Sequence, residues 1–235
     1  MKCRGIPFTL SSRITHHASR ITFHALHIME NNLEMPLRQC LEIIQNRVMN
    51  ETSYFGIRTL KNPIDFWIYQ EIIFQTQPDF IIEIGNFFGG STLALAHLLD
   101  NLGKGQVIAL DISHQDIPDI VRNHPRIRLI EGDACESFEQ VSGITGDSNV
   151  MVIEDSLHTF DNTLAVLKTY SCLVKPGNYF IVEDSICHHG LDVGPDPGPY
   201  EAIEAFLMEN KAFEADRTRE SFFITWNPKG YLRRM

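Results

Sequence analysis

Acidic residues recur in this chain at the ends of apolar, largely β-branched runs: Glu83, Asp111, Glu131 with Asp133, Glu154 with Asp155, and Glu183 with Asp184. Such runs read as parallel strands buried on both faces, and an open α/β sheet binds its ligands beyond the carboxyl ends of its strands. One acid at a strand end is as easily a helix N-cap or a solvated turn. Acids at successive strand ends, all facing one crevice, favour a shared ligand.

The most informative of these stretches is Asp79-Phe-Ile-Ile-Glu-Ile-Gly-Asn-Phe-Phe-Gly-Gly-Ser-Thr92, a strand, a glycine turn and the start of a helix. Gly85 allows a sharp turn, Gly89 or Gly90 allows the backbone to approach a ligand, and Ser91 or Thr92 is placed to cap the helix that follows. The Gly-x-Gly-x-x-Gly fingerprint of pyrophosphate cradles does not occur. A carboxylate aimed into the turn instead suits a cationic ligand without phosphate, and S-adenosylmethionine, with its ammonium and sulfonium, is of that kind. The competing reading is a plain strand-turn-helix with a chance acid.

Asp111 ends the second strand, where an acid can accept hydrogen bonds from a ribose, and Gly132, Asp133 and Ala134 follow the third strand, where they can border an adenine. The acids after the fourth and fifth strands, Glu154-Asp155 and Glu183-Asp184, must repel, stay protonated or hold a cation. All-oxygen donors favour a hard ion such as Mg²⁺; the alternative is an acidic rim that binds nothing. Cys187-His188-His189 resembles a soft metal site only in composition and reads as a substrate-contacting or exposed loop.

The elements that must position these residues alternate from residue 79 onward. Strands are expected over 79–84, 106–111, 127–131, 149–154 and 178–183, and helices over 90–101, 114–123, 134–141, 161–173 and 200–209, with glycine and proline breakers between them. That is a Rossmann-like, doubly wound, mostly parallel α/β sheet. Two helices precede it, one over 36–50 with Leu37, Leu41, Ile44 and Val48 on one face, the other opened by Asn62-Pro63 as cap and first-turn proline. Tyr54-Phe55-Gly56 between them is placed as a substrate-facing loop. A glycine- and proline-rich loop after Asp184 is a candidate lid, followed by a late strand over 221–226 and a basic tail.

With 235 residues, 43% of them hydrophobic, the chain supports one sizeable core. A formal charge of −10 and the absence of a Lys/Arg cluster argue against a nucleic-acid partner. No apolar run reaches the roughly 20 residues of a membrane span. Five cysteines without a Cys-x-x-Cys pair point to reduced thiols and the cytoplasm. Residues 1–30 differ from the rest: they carry the tandem heptad Ser12-Arg-Ile-Thr-His-His-Ala18 and Ser19-Arg-Ile-Thr-Phe-His-Ala25 and read as a disordered or spurious extension before a start at Met29 or Met35, leaving 31–235 as the domain. A transit peptide and a histidine metal tract are the other readings.

Glu83-Ile-Gly-Asn-Phe-Phe-Gly-Gly-Ser91 resembles motif I of class I S-adenosylmethionine methyltransferases of the catechol O-methyltransferase type. Val182-Glu-Asp184, Gly198-Pro-Tyr-Glu-Ala202 and the ending Thr225-Trp-Asn-Pro-Lys-Gly-Tyr-Leu-Arg-Arg234 are similar to the cephalosporin hydroxylase and rhamnosyl O-methyltransferase family, over residues 36–235. The resemblance implies the methyltransferase fold, S-adenosylmethionine held by Glu83, Gly85, Asn86, Phe88, Gly89, Ser91 and Asp111, and a divalent ion, with Asp155, Glu183 and Asp184 as its ligands in the catechol-type pattern. Many hydroxylase-type relatives carry a second acid two positions after Asp155, where this chain has Leu157. His158 falls where the catechol-type enzymes place a basic catalytic residue, and an imidazole suits proton removal at neutral pH. The implied reaction is methyl transfer to a hydroxyl of a small metabolite or glycosyl group. The alternatives are an oxidative hydroxylase, which would need two histidines and a carboxylate on one side, and a binding protein without catalysis. A homo-oligomer is compatible with all three.

Overall fold

The computed structural model describes residues 29–235, so the tandem heptad lies outside the described residues. The chain divides into two units, Met1–Ile43 and Ile44–Met235. Described residues of the first form a single 3₁₀ turn, Met29–Asn31, and the opening of helix α1, Leu37–Glu51.

The second unit continues from α1 into a short hairpin, β1 (Ser53–Tyr54) and β2 (Ile57–Arg58), then α2 (Pro63–Thr76), whose N-cap Asn62 accepts the Ile64 N–H on its side chain as expected. There follow β3 (Phe80–Ile84), α3 (Gly90–Leu102), β4 (Gln106–Asp111), α4 (Asp119–Arg122), β5 (Ile127–Glu131), α5 (Phe138–Thr145), β6 (Val150–Glu154), α6 (Phe160–Tyr170), β7 (Tyr179–Val182), α7 (Pro199–Glu209), β8 (Phe213–Ala215) and β9 (Tyr231–Arg234). β3 to β9 form one seven-stranded sheet of order β5-β4-β3-β6-β7-β9-β8. β3 to β7 run parallel, and β9 is antiparallel to both its neighbours.

Side-chain alternation explains the two cores. Ile82, Ile84, Ile108, Leu110, Val150 and Val152 face one side with residues of α6 and α7; Ile81, Val107, Met151 and Ile153 face the other with residues of α2 and α3. These strand residues are buried, and each large aliphatic side chain so removed from water contributes about 1.5–3 kcal/mol. Glu83 shares the α2/α3 side, so its carboxylate is carried inward by the pleat that buries Ile81.

Four expectations are corrected. The helix over 114–123 is only the four residues of α4, because Pro118 stands at its N-cap and biases the residue before it toward extended backbone. The helix over 134–141 begins later, at Phe138; Asp133 Oδ1 accepts the Glu136 N–H at 3.1 Å and holds the intervening turn. No strand forms over 221–226, since the backbone N–H of Trp226 and the Thr225 hydroxyl bond to Asp65 of α2 rather than to a ladder. The tail expected to be a basic terminus is instead the interior strand β9.

Candidate active site

A cavity of about 620 Å³ opens at the carboxyl edge of the parallel strands. Gly85, Asn86, Phe88, Ser91, Asp111, Gly132, Asp133, Ala134, Asp155, His158 and Asp184 all line it. Glu83, Gly89 and Glu183 do not. Gly89 serves internal packing: a Cβ there would come 2.9 Å from Ile117 Cδ1, and one on Gly90 would meet the Thr59 hydroxyl. Gly85 carries the turn itself, with φ +84° and room so restricted that a Cβ would lie 2.1 Å from the Asp155 carbonyl oxygen.

Asp111 fixes this turn from the neighbouring strand. Its Oδ2 accepts the backbone N–H of Asn86 at 2.8 Å and of Phe87 at 2.9 Å. Phe87 sits at φ 46°, a left-handed conformation that is unusual for an aromatic residue. Ser91 and Thr92 lie inside the first turn of α3, whose N-cap is Gly89, and neither caps it. Instead the Thr92 hydroxyl donates to Glu83 Oε2 at 2.5 Å. Burial raises the Glu83 carboxyl above its ordinary range, with the Lys61 charge working against the rise.

Among the described residues, the buried side-chain atoms without a hydrogen-bond partner are Glu83 Oε1, both amide atoms of Asn86, His114 Nε2 and Glu154 Oε2. All belong to the carboxyl edge of the sheet or the turns just beyond it. Native proteins pair nearly all such atoms, and of these residues Asn86 lines the cavity, where its amide is available to a polar ligand.

The carboxylates of the fourth and fifth strand ends are not left to repel. Lys61, 7% exposed, forms ion pairs with Asp155 Oδ2 and Glu183 Oε1. Burial works to lower the Lys61 pKa, but Asp155 and Glu183 outweigh it and the net shift is upward. Burial, then Asp155, holds Glu183 well above the carboxylate range. Asp184 is pushed up to about 6, by burial first, with His158 opposing. Glu154 is pushed up to about 7 by burial, although its Oε1 accepts from Ser156 Oγ at 2.7 Å and Asn162 Nδ2 at 3.2 Å.

His158 Nε2 lies 3.4 Å from Asp184 Oδ2 and 3.7 Å from Asp155 Oδ1. His158 and Asp184 both have left-handed backbones, φ 54° and 55°. Asp155, His158 and Asp184 each offer one donor atom, all within 4.8 Å of one another. The expected trio is thus regrouped: Glu183 faces Lys61, and His158 stands beside the other two acids. Leu157 is exposed at the cavity rim and offers no donor.

Sequence reasoning missed Lys61, whose only signal was electrostatic: converging buried acids require a cation from somewhere. It also missed Arg58, which lines the cavity with its guanidinium 5.7 and 5.8 Å from the ring centres of Phe87 and Phe88. Tyr54 and Phe55 do not line the cavity; they pack on His97. On the candidate lid, His188 bonds to the Gly194 carbonyl, and His189 stacks on Tyr200 and pairs with Glu201 at 2.6 Å, so neither forms a metal site with Cys187.

The two-histidine, one-carboxylate set that an oxidative hydroxylase needs does occur, at His97, Asp100 and His124. It does not line the cavity. Asp100 is bound by Arg126 Nε at 2.5 Å, and His97 Nδ1 is engaged by the Tyr54 hydroxyl at 2.9 Å.

Sheet order, glycine turn and acidic crevice together define a class I methyltransferase fold. A family model described as rhamnosyl O-methyltransferase/CmcI matches residues 46–235, and the chain belongs to that family. By that membership it is an O-methyltransferase. It is 37% identical over 198 residues to a rhamnosyl O-methyltransferase of Mycobacterium leprae, covering 80% of this chain and 86% of that one. It is 34% identical over 197 residues to the Mycobacterium tuberculosis enzyme of the same name, covering 80% of each. The Mg–SAM form of CmcI has the same fold, with a TM-score of 0.62 at 24% identity over 78% of this chain and 76% of that one.

Proposed function

We propose that this enzyme transfers a methyl group from S-adenosylmethionine to a hydroxyl of a glycosyl group, with Mg²⁺ at the acidic crevice. The observation that carries the reading is the unpaired amide of Asn86 in the cavity wall, with the buried Glu83 carboxyl behind it, at a turn held by Asp111, within a family whose relatives are named for rhamnosyl O-methyl transfer. A cationic cofactor fits that arrangement. Glu83 presents an unpaired buried oxygen behind the turn, Asp111 the acid at the next strand end, and Gly132, Asp133 and Ala134 the wall beyond it.

The donor set of Asp155, His158 and Asp184 suits a divalent cation, and Asp155 and Asp184 would hold it. Bound there, Mg²⁺ would lower the pKa of a hydroxyl on the acceptor. The remaining work falls to the protein. A C–S bond breaks as an O–C bond forms, so the acceptor oxygen must lie behind the methyl group, in a cavity that excludes water. His158 takes the hydroxyl proton on Nε2, and the carboxylates at 3.4 and 3.7 Å stabilise the resulting imidazolium. The free thiols of Cys40, Cys135, Cys172 and Cys187 support a reducing compartment, the cytoplasm.

The test is transfer of labelled methyl from S-adenosylmethionine to a rhamnosyl acceptor. Label on a sugar oxygen, lost in His158→Ala and partly regained at higher pH, is the expected result. Tight cofactor binding with no transfer to any glycosyl hydroxyl would sink the acceptor assignment.

A further inference from the structure

We propose that Lys61 is the resident counter-cation of the carboxylate cluster: it holds Asp155 and Glu183 together when no metal is bound, and sets how tightly a metal binds. The inference rests on the metal reading above. A buried ammonium is costly unless it is paired, and Lys61 is 7% exposed and touches two carboxylates from different strand ends. It reaches them from the segment between β2 and α2, whose own N-cap Asn62 and first-turn acid Asp65 are fixed by hydrogen bonds to Ile64, Thr225, Trp226 and Tyr231. The ammonium is therefore delivered by a rigid anchor rather than a mobile side chain on a loop.

Its place has two consequences. Without a divalent ion, Lys61 is, among the described residues, the side chain that ion-pairs with both Asp155 and Glu183, and so keeps converging acids from forcing the strand ends apart. With such an ion bound at Asp155 and Asp184, Lys61 is a like charge within the same cluster and weakens the binding. A side chain that only supported the fold would show the opposite sign: removing it would loosen the site and weaken metal binding. Lys61 is thus a positioning residue with a distinctive signature.

The experiment uses the full chain and Mn²⁺ as the probe, read by electron paramagnetic resonance, with Asp184→Asn as the control that defines the crevice ion. Lys61→Met should bind that ion at least about tenfold more tightly than the wild type, have a lower melting temperature without metal, and recover much of the loss when Mn²⁺ is added. Lys61→Arg, which keeps the charge, should bind Mn²⁺ like the wild type. Unchanged or weaker binding by a folded Lys61→Met, while wild type binds and Asp184→Asn does not, overturns the role of Lys61 and leaves the metal reading intact. Binding by Lys61→Met alone supports the proposal in its strongest form. If neither binds, both fall. Should Lys61→Met fail to fold even with Mn²⁺, Lys61→Gln, a neutral polar side chain, takes its place: tighter Mn²⁺ binding than the wild type supports the proposal, and unchanged or weaker binding overturns it.

Discussion

The two ends of the parallel sheet carry cavities of nearly the same size, about 620 Å³ at the carboxyl edge and about 640 Å³ at the amino edge. Their chemistry is opposite. At the amino edge the polar groups satisfy one another: Asn178 donates to Asn149 at 2.8 Å, Asn149 to the Thr76 carbonyl at 2.7 Å, Tyr179 to Asp216 at 2.6 Å, and Arg219 to Gln75 at 2.6 Å. The carboxyl edge holds the unpaired atoms of Glu83, Asn86, His114 and Glu154 and the left-handed backbones of Phe87, His158 and Asp184. The acids differ in the same way. Burial raises Glu83, Glu154 and Asp184, whereas the hydroxyls of Thr218 and Tyr179 outweigh burial and lower Asp216. Volume therefore says little about where a ligand binds. Unmet hydrogen bonds say more, whereas left-handed backbone by itself does not, since Gln77 at the amino edge also has φ 50°.

This contrast breaks most readily at the glycine turn. Gly85→Ala must move the Asp155 carbonyl and also adopt φ +84°, so a loss on the order of 4 kcal/mol or a failure to fold is expected. At the amino edge Gly177→Ala meets nothing within 4 Å and pays only for its φ of +87°, about 1 kcal/mol. Denaturant melts of both variants measure the difference, and equal losses would mean that Gly85 is not special.

Next in size is cofactor affinity. Glu83→Gln and Asp111→Ala should each weaken S-adenosylmethionine binding about tenfold to a hundredfold by calorimetry, since lost hydrogen bonds to charged groups are worth roughly 1.5–3 kcal/mol. Arg219→Ala, at the other cavity, should leave it unchanged. If Arg219→Ala matched the other two, the amino edge would be a second ligand site.

The pH dependence should have opposite signs at the two ends. Glu154 holds its proton more tightly when folded, at about 7, than when unfolded, so its contribution to stability is present below the unfolded value and is lost as pH rises through about 7. Asp216 contributes stability above its unfolded pKa that is lost as pH falls through its lowered one. Ligand-free protein should therefore melt lower at about pH 8 than at about pH 5.5, and Glu154→Gln should flatten that slope. Part of the slope should remain, since Asp184 is also raised, to about 6, and a slope unchanged by the substitution would assign it wholly to the other buried acids.

The smallest effect concerns Cys187, whose thiol burial pushes up to about 11. At neutral pH it should react with iodoacetamide far more slowly than the exposed Cys172, and a bound cofactor should change this little. Rapid labelling of Cys187 would show that the lid opens on that timescale.

The sequence by itself determined the parallel strands, because each is a short apolar run bounded by breakers, and the acids at their ends, because the sheet turns every strand end toward one crevice. It determined the Gly85 turn and the Asn62-Pro63 helix start, which are local chemistry. Only the tertiary structure decided the rest. Whether Gly89 faces a ligand or Ile117 depends on an element almost thirty residues away. That 221–226 is not a strand depends on Asp65 taking its hydrogen bonds, and that the basic tail becomes β9 depends on β7 having a free edge. Above all, the pairing of Lys61 with Asp155 and Glu183 joins segments with no periodicity or spacing in common. Local patterns record how a residue sits in its own element; which buried charge meets which is settled by packing, and no stretch of sequence carries it.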